Sequence, residues 1–178
     1  MYYVLFAIPY LSQKNNPMAF QHIFKAKVNW QLGTHETTQN PKDFSRNHVV
    51  TIPNKKAPLE VSAAKPFRGD DTLYNPEDLL LSALASCHMM SYLYVCAQHH
   101  IAVLNYEDHA EAILDVDGSG SGRFKKVTLH PEVMIQDATK KELAKSLHAK
   151  ANALCFIANS CNFPVEHRPE IYIQNAPH

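Results

Sequence analysis

Between Asn75 and His99 the chain reads NPEDLLLSALASCHMMSYLYVCAQH, and no other stretch limits the possible folds as strongly. Asn75 is a good helix cap, Pro76 suits the first helical position, and Asp78 can close a capping box with Asn75. From Leu79 onward the residues are apolar around nearly the whole circumference, so the spacing predicts a helix to about His99 that solvent cannot cover on any side. A fold built on this segment has to wrap it. Within it stand a cysteine and a histidine, Cys87 and His88.

The flanking patterns are those of strands. Residues alternate in character from Phe20 through Trp30, the two-residue period of a half-buried strand. A polar loop, GTHETTQNPKDFSR, leads to the short β-prone runs NHVVTIP and LEVSA. After the helix, Leu104 to Val116 alternates as one long strand with a wet face, DGSGSG turns the chain, and Arg123 to Gln136 returns as a second long strand. A phosphate-binding reading of those glycines would need a helix after them, and none is predicted. Pro131 places its stretch at an edge or a bulge.

Thr139 and Glu142 suggest a capping box for a second helix, with Leu143, Leu147, Ala151, Leu154 and Ala158 as its apolar stripe and Cys155 on or beside it. VEHRPEIYIQ alternates as a last strand. Three strands, a helix, two long strands, a helix and a strand make an α+β domain. At 178 residues the length suits one domain, expected over 18–178. Residues 1–17 read as a poorly ordered extension, with an apolar run too short to span a bilayer.

Seventeen basic residues balance seventeen acidic ones, so no net field draws the chain to nucleic acid or to an anionic membrane. The four cysteines, Cys87, Cys96, Cys155 and Cys161, lack the spacing of a secreted disulfide scaffold, and a cytoplasmic location is expected. Cys87, His88, His148 and Cys155 have neither CxxC nor HxxxH spacing, so no metal is expected. By periodicity alone, Cys87 and Cys155 also fit as small core residues.

NPEDLLLSALASC, followed 68 residues after its cysteine by ALCFIANS, resembles the OsmC/Ohr family of osmotically inducible and organic-hydroperoxide-resistance proteins. The resemblance runs from about Phe20 to Gln174. It implies antiparallel sheets wrapped around long central helices in an intertwined homodimer, and thiol-based reduction of organic hydroperoxides with no bound cofactor. Carried over by motif position, Cys87 is the peroxidatic cysteine, Cys155 the resolving cysteine that leads to a disulfide, and Glu77 the carboxylate that orients an arginine. An external dithiol then serves as reductant. The arginine is Arg46, in the first long loop, or Arg68, just before the helix. Two other readings stay open: a family member that binds a small hydrophobic ligand without chemistry, and a disulfide-based redox sensor.

Geometry adds a constraint to the motif. In one straight helix, Glu77 and Cys87 stand ~15 Å apart along the axis. Either the helix breaks near Ser82 to Ser86, or two copies exchange groups across an interface. The sequence also departs from the peroxide-reducing pattern: FRGDDTLYNPED carries a single glycine and is acidic, and His88 stands where an apolar or aromatic residue is usual. His88 is either a substrate-side proton donor or a residue satisfied by a core hydrogen bond.

Overall fold

The computed structural model describes residues 21–35 and 37–174. The expected extension at 1–17, and Phe20 at the start of the first strand, lie outside them.

The central helix forms as its sequence demands. Asn75 Oδ1 accepts the Asp78 N–H at 2.9 Å and the Asn75 N–H donates to the Asp78 carboxylate at 3.2 Å, closing the capping box on α1 (Pro76–Gln98). The helix is unbroken, so the first of the two alternatives, an interruption near Ser82 to Ser86, does not occur; Ser82, Ala83, Ala85 and Ser86 supply neither a proline nor a competing cap. It stops in a Schellman motif. His100 takes a left-handed φ of 54°, the Ile101 N–H reaches the Cys96 carbonyl at 2.9 Å, and the His100 N–H reaches Ala97 at 3.1 Å. Cys96 and Ile101 are both buried there, the apolar contact that goes with this stop.

The expected two long strands and tail strand are each divided in two. They give β4 (Val103–Asp108) and β5 (Glu111–Val116), β6 (Gly122–Leu129) and β7 (Pro131–Ile135), and β8 (Val165–His167) and β9 (Glu170–Ile173). One half of each joins a sheet of order β4-β7-β9 and the other a sheet of order β5-β6-β8. At the crossover the freed backbone groups find new partners: Asp108 Oδ1 accepts the His130 N–H at 2.8 Å, and the Arg168 N–H donates to Leu129 at 2.9 Å. Pro131 opens the central strand β7, contrary to the edge or bulge expected for it. As the first residue of a strand, it can lack an amide hydrogen without breaking the ladder. The DGSGSG segment is a hairpin turn between β5 and β6, with Gly120 at φ 83°.

The first three strands form a separate antiparallel sheet, β1 (Lys27–Asn29), β2 (His48–Thr51) and β3 (Leu59–Val61). β1 is much shorter than the alternation from Phe20 suggests. Nor is it half-buried, since Phe24 is 92% and Val28 65% exposed. Periodicity reports the face a strand offers, and within one chain nothing among the described residues covers this one.

The second helix differs in its cap and its stripe. Asp137, not Thr139, caps the turn that leads into α2 (Lys141–Leu154), accepting the Thr139 N–H at 2.9 Å. The buried residues are Ala144, Leu147, His148 and Ala151, while Leu143 and Leu154 are exposed. The main core lies between α1, α2 and the β4-β7-β9 sheet, and a second one lies under β6 around Leu84, Val127 and Leu129. A single chain buries only one stripe of α1, formed by Leu84, His88, Tyr92, Val95 and Cys96. Met90 and Tyr94 remain 58% and 59% exposed.

Candidate active site

Cys87 sits at the middle of α1, half-buried, and faces the end of α2. Cys155 is not on a helix as expected. It occupies the extended joint between α2 and the short α3 (Phe156–Asn159), where its sulfur accepts the Ala158 N–H at 3.4 Å and caps that turn. Both are free thiols, and they are near neighbours. Burial first, and the Cys87 thiol second, push the Cys155 pKa up to about 11, against a smaller lowering by the Ala158 amide. Cys155 is therefore a protonated thiol at neutral pH. Cys96 and Cys161 are also shifted upward, in both cases by burial, and Cys96 lies in the main core against Tyr92.

Arg46 and Glu77 come together, but not at the thiols. Both line a cleft of about 280 Å³ at the start of α1, together with His48, Ser62 and Phe67. The Arg46 guanidinium is held by its own loop, donating to the carbonyls of Phe44 and Pro41 at 2.6 Å each, and lies 4.4 Å from the Phe44 ring centroid. Among the described residues it makes no ion pair with Glu77. With α1 unbroken, the ~15 Å of rise between Glu77 and Cys87 stands within one chain.

Arg68 is placed elsewhere. It closes the 3-10 turn Lys65–Phe67 with a left-handed φ of 64°, and its side chain is exposed. The neighbouring Gly69 has a structural duty, because a Cβ there would stand 1.5 Å from the Ala63 carbonyl oxygen.

His88 points into the core. It is fully buried, with Nε2 3.0 Å from His148 Nδ1, so of its two expected roles the structure shows the core hydrogen bond and not the substrate-side donor; the helix turns it about 100° away from Cys87. The His148 ring stacks on Tyr92 with centroids 3.8 Å apart, and His167 from β8 stands edge-on to both histidines at 5.6 and 6.2 Å. The outer nitrogens, His88 Nδ1 and His148 Nε2, are buried without a partner. Each such orphan costs about 1–3 kcal/mol. Burial leads the causes that lower the two pKa values, to about 4 for His88 and about 3 for His148, so both rings are neutral at physiological pH. The sequence groups His88 with His148 only as conceivable metal ligands beside Cys87 and Cys155, and nothing in it joins His167 to them. His148 lies seven residues before Cys155 on the buried face of α2, and that spacing was the available signal. Among the described residues no three His, Cys, Asp or Glu side chains converge as a metal site.

Residues 69–170, more than half of the chain, match the model of the OsmC-like protein family. The chain belongs to that family. Similar solved structures agree with the OsmC-like fold. An OsmC-like protein of unknown function from Vibrio cholerae is 26% identical, with a TM-score of 0.72 over 84% of this chain and 100% of its own. An organic hydroperoxide resistance protein from Elizabethkingia anophelis, 20% identical, gives a TM-score of 0.64 over 88% of this chain and 100% of its own. An uncharacterized protein of Bacillus subtilis, YmaD, is 26% identical over 148 residues, which cover 82% of this chain and 90% of that protein. At 20% identity the hydroperoxide resistance protein agrees with this chain in fold.

Proposed function

We propose that this OsmC-like protein is a cytoplasmic, thiol-dependent peroxidase that reduces organic hydroperoxides. The observation that carries the reading is the pairing of a half-buried Cys87 with a buried, protonated Cys155 at the joint of two helices. The Cys87 thiolate attacks the outer peroxide oxygen, the O–O bond breaks, and the alkoxide takes a proton and leaves as alcohol. The sulfenic acid on Cys87 is then attacked by the Cys155 thiol, forming a disulfide and releasing water. An external dithiol reduces that disulfide and is itself oxidised.

A guanidinium favours the thiolate and steadies the leaving oxygen. Arg46, oriented with Glu77 in one cleft, is that group in a homodimer. A second copy laid along the exposed face of α1 brings the cleft of one subunit to the Cys87 of the other. This arrangement covers the apolar residues that one chain leaves bare and removes the ~15 Å gap. With Arg68 exposed at its turn, the structure favours Arg46 over Arg68 for this part.

The test is dithiol-dependent turnover of an alkyl hydroperoxide. Cys87→Ser abolishes it, and undiminished turnover in that variant removes the mechanism. A second reading is favoured by the apolar cleft of about 680 Å³ between α1 and β5, lined in part by Phe67, Leu81, Leu114 and Phe124: the protein holds a small hydrophobic ligand without chemistry. Alkylation at pH 6 separates the two readings, since a thiolate reacts there and an ordinary thiol does not. For a redox sensor, oxidation stops at one equivalent.

A further inference from the structure

Three contacts tie α1 to α2 as a ladder. Cys87 meets Cys155, His88 Nε2 meets His148 Nδ1 at 3.0 Å, and the Tyr92 hydroxyl donates to the Ala144 carbonyl at 3.2 Å. Residue numbers rise along α1 as they fall along α2, so the helices are antiparallel. The histidine rung is therefore the one next to the thiols.

That rung is a poor source of stability. Four ring nitrogens are buried for one mutual hydrogen bond, and His88 Nδ1 and His148 Nε2 are left without partners. Apolar side chains of the same volume would avoid that cost. What the pair does supply is register. Apolar surfaces slide past one another with small changes in energy, whereas two buried rings joined by a hydrogen bond accept one alignment. Tyr92 stacked on His148 and His167 edge-on to both rings restrict it further.

The geometry points to His88 and His148 as positioning residues whose hydrogen bond fixes the register of α1 against α2, and so presents Cys155 to Cys87 for disulfide formation. The use of that register in turnover rests on the peroxidase reading; the register itself can be measured without peroxide. In exchange with glutathione disulfide, the Cys87–Cys155 bond forms as two protein thiols lose two electrons and one glutathione disulfide becomes two glutathiones.

The experiment equilibrates the whole protein with glutathione and glutathione disulfide and quantifies the Cys87–Cys155 disulfide by mass spectrometry. The readout is the effective concentration of one thiol toward the other. His148→Phe keeps a ring against Tyr92 and deletes the hydrogen bond, and its effective concentration falls about tenfold while its melt stays cooperative. His88→Gln retains donors and an acceptor for His148 and stays within about twofold of the unaltered protein. His88→Leu reproduces the tenfold loss and serves where His148→Phe does not fold. In single turnover with an alkyl hydroperoxide, oxidation of Cys87 keeps its rate in these variants and only the disulfide step slows. An unchanged effective concentration in folded His148→Phe or His88→Leu, or an equal loss in His88→Gln, overturns the proposal. If the unaltered protein leaves peroxide untouched while its exchange shows this pattern, the peroxidase reading fails and the positioning role stands.

Discussion

The Cys155 thiol and the Cys87 thiol are neighbours across the α1–α2 contact, although 68 residues separate them in the chain. Cys155 sits at a break between helices, and Cys87 inside one that does not break. A residue at a joint can move toward a partner with little loss of helical hydrogen bonding.

Arg46 has no charged partner within its own chain among the described residues, and its guanidinium is held by two carbonyls. Replacing it with glutamine is expected to lower kcat/KM for an alkyl hydroperoxide by about a hundredfold, the usual cost of losing one stabilising donor for a developing negative charge. The Cys87–Cys155 disulfide should still form in glutathione exchange. Steady-state kinetics beside that exchange check both halves.

Leu93 and Tyr94 lie on the uncovered side of α1. Leu93→Glu is expected to leave a folded monomer, because a charge in an apolar interface has no partner there. Sedimentation should show a dimer for the unaltered protein at micromolar concentration and a monomer for the variant. Turnover should be lost with the dimer.

Acid should loosen the molecule through its buried histidines. Their folded pKa values, about 4 and about 3, lie below the ordinary value of 6.5, so below that value the unfolded chain takes up protons the folded one refuses. Stability is full above pH 6.5 and is lost as the pH falls toward 4, by on the order of 3 kcal/mol for His88 alone. The aromatic and titratable groups packed on the pair are His167 from β8 and Tyr92 from α1. Urea denaturation at pH 7 and pH 5 should show the drop, and His148→Phe should flatten it.

Gly69 tolerates no side chain, since the Ala63 carbonyl occupies the space of a Cβ. Gly69→Ala is expected to cost about 3 kcal/mol or more, by forcing apart the turn that leads into α1. A thermal melt measures it.

How much of this was legible in the sequence depends on how local each signal is. The α1 cap, the hairpin after Val116 and the two chemically interesting cysteines depend on near neighbours or on one motif, and the α+β class follows from them. The division of each long strand between two sheets leaves no local mark, because alternation continues through His130 and Arg168 while the partner strand changes. The α2 stripe was misplaced by one residue because Leu143 and Leu154 outrank Ala144 and His148 in hydrophobicity, yet small and aromatic groups are what fit against α1. The histidine rung was hidden because it joins residues 60 apart.

The most direct measurement adds one equivalent of an alkyl hydroperoxide to the reduced protein and maps the disulfide formed by mass spectrometry. One intramolecular bond between Cys87 and Cys155 is expected, with Cys96 and Cys161 still reduced and one equivalent of alcohol released. Unreacted thiols at 87 and 155, or a bond that joins other cysteines, would contradict it.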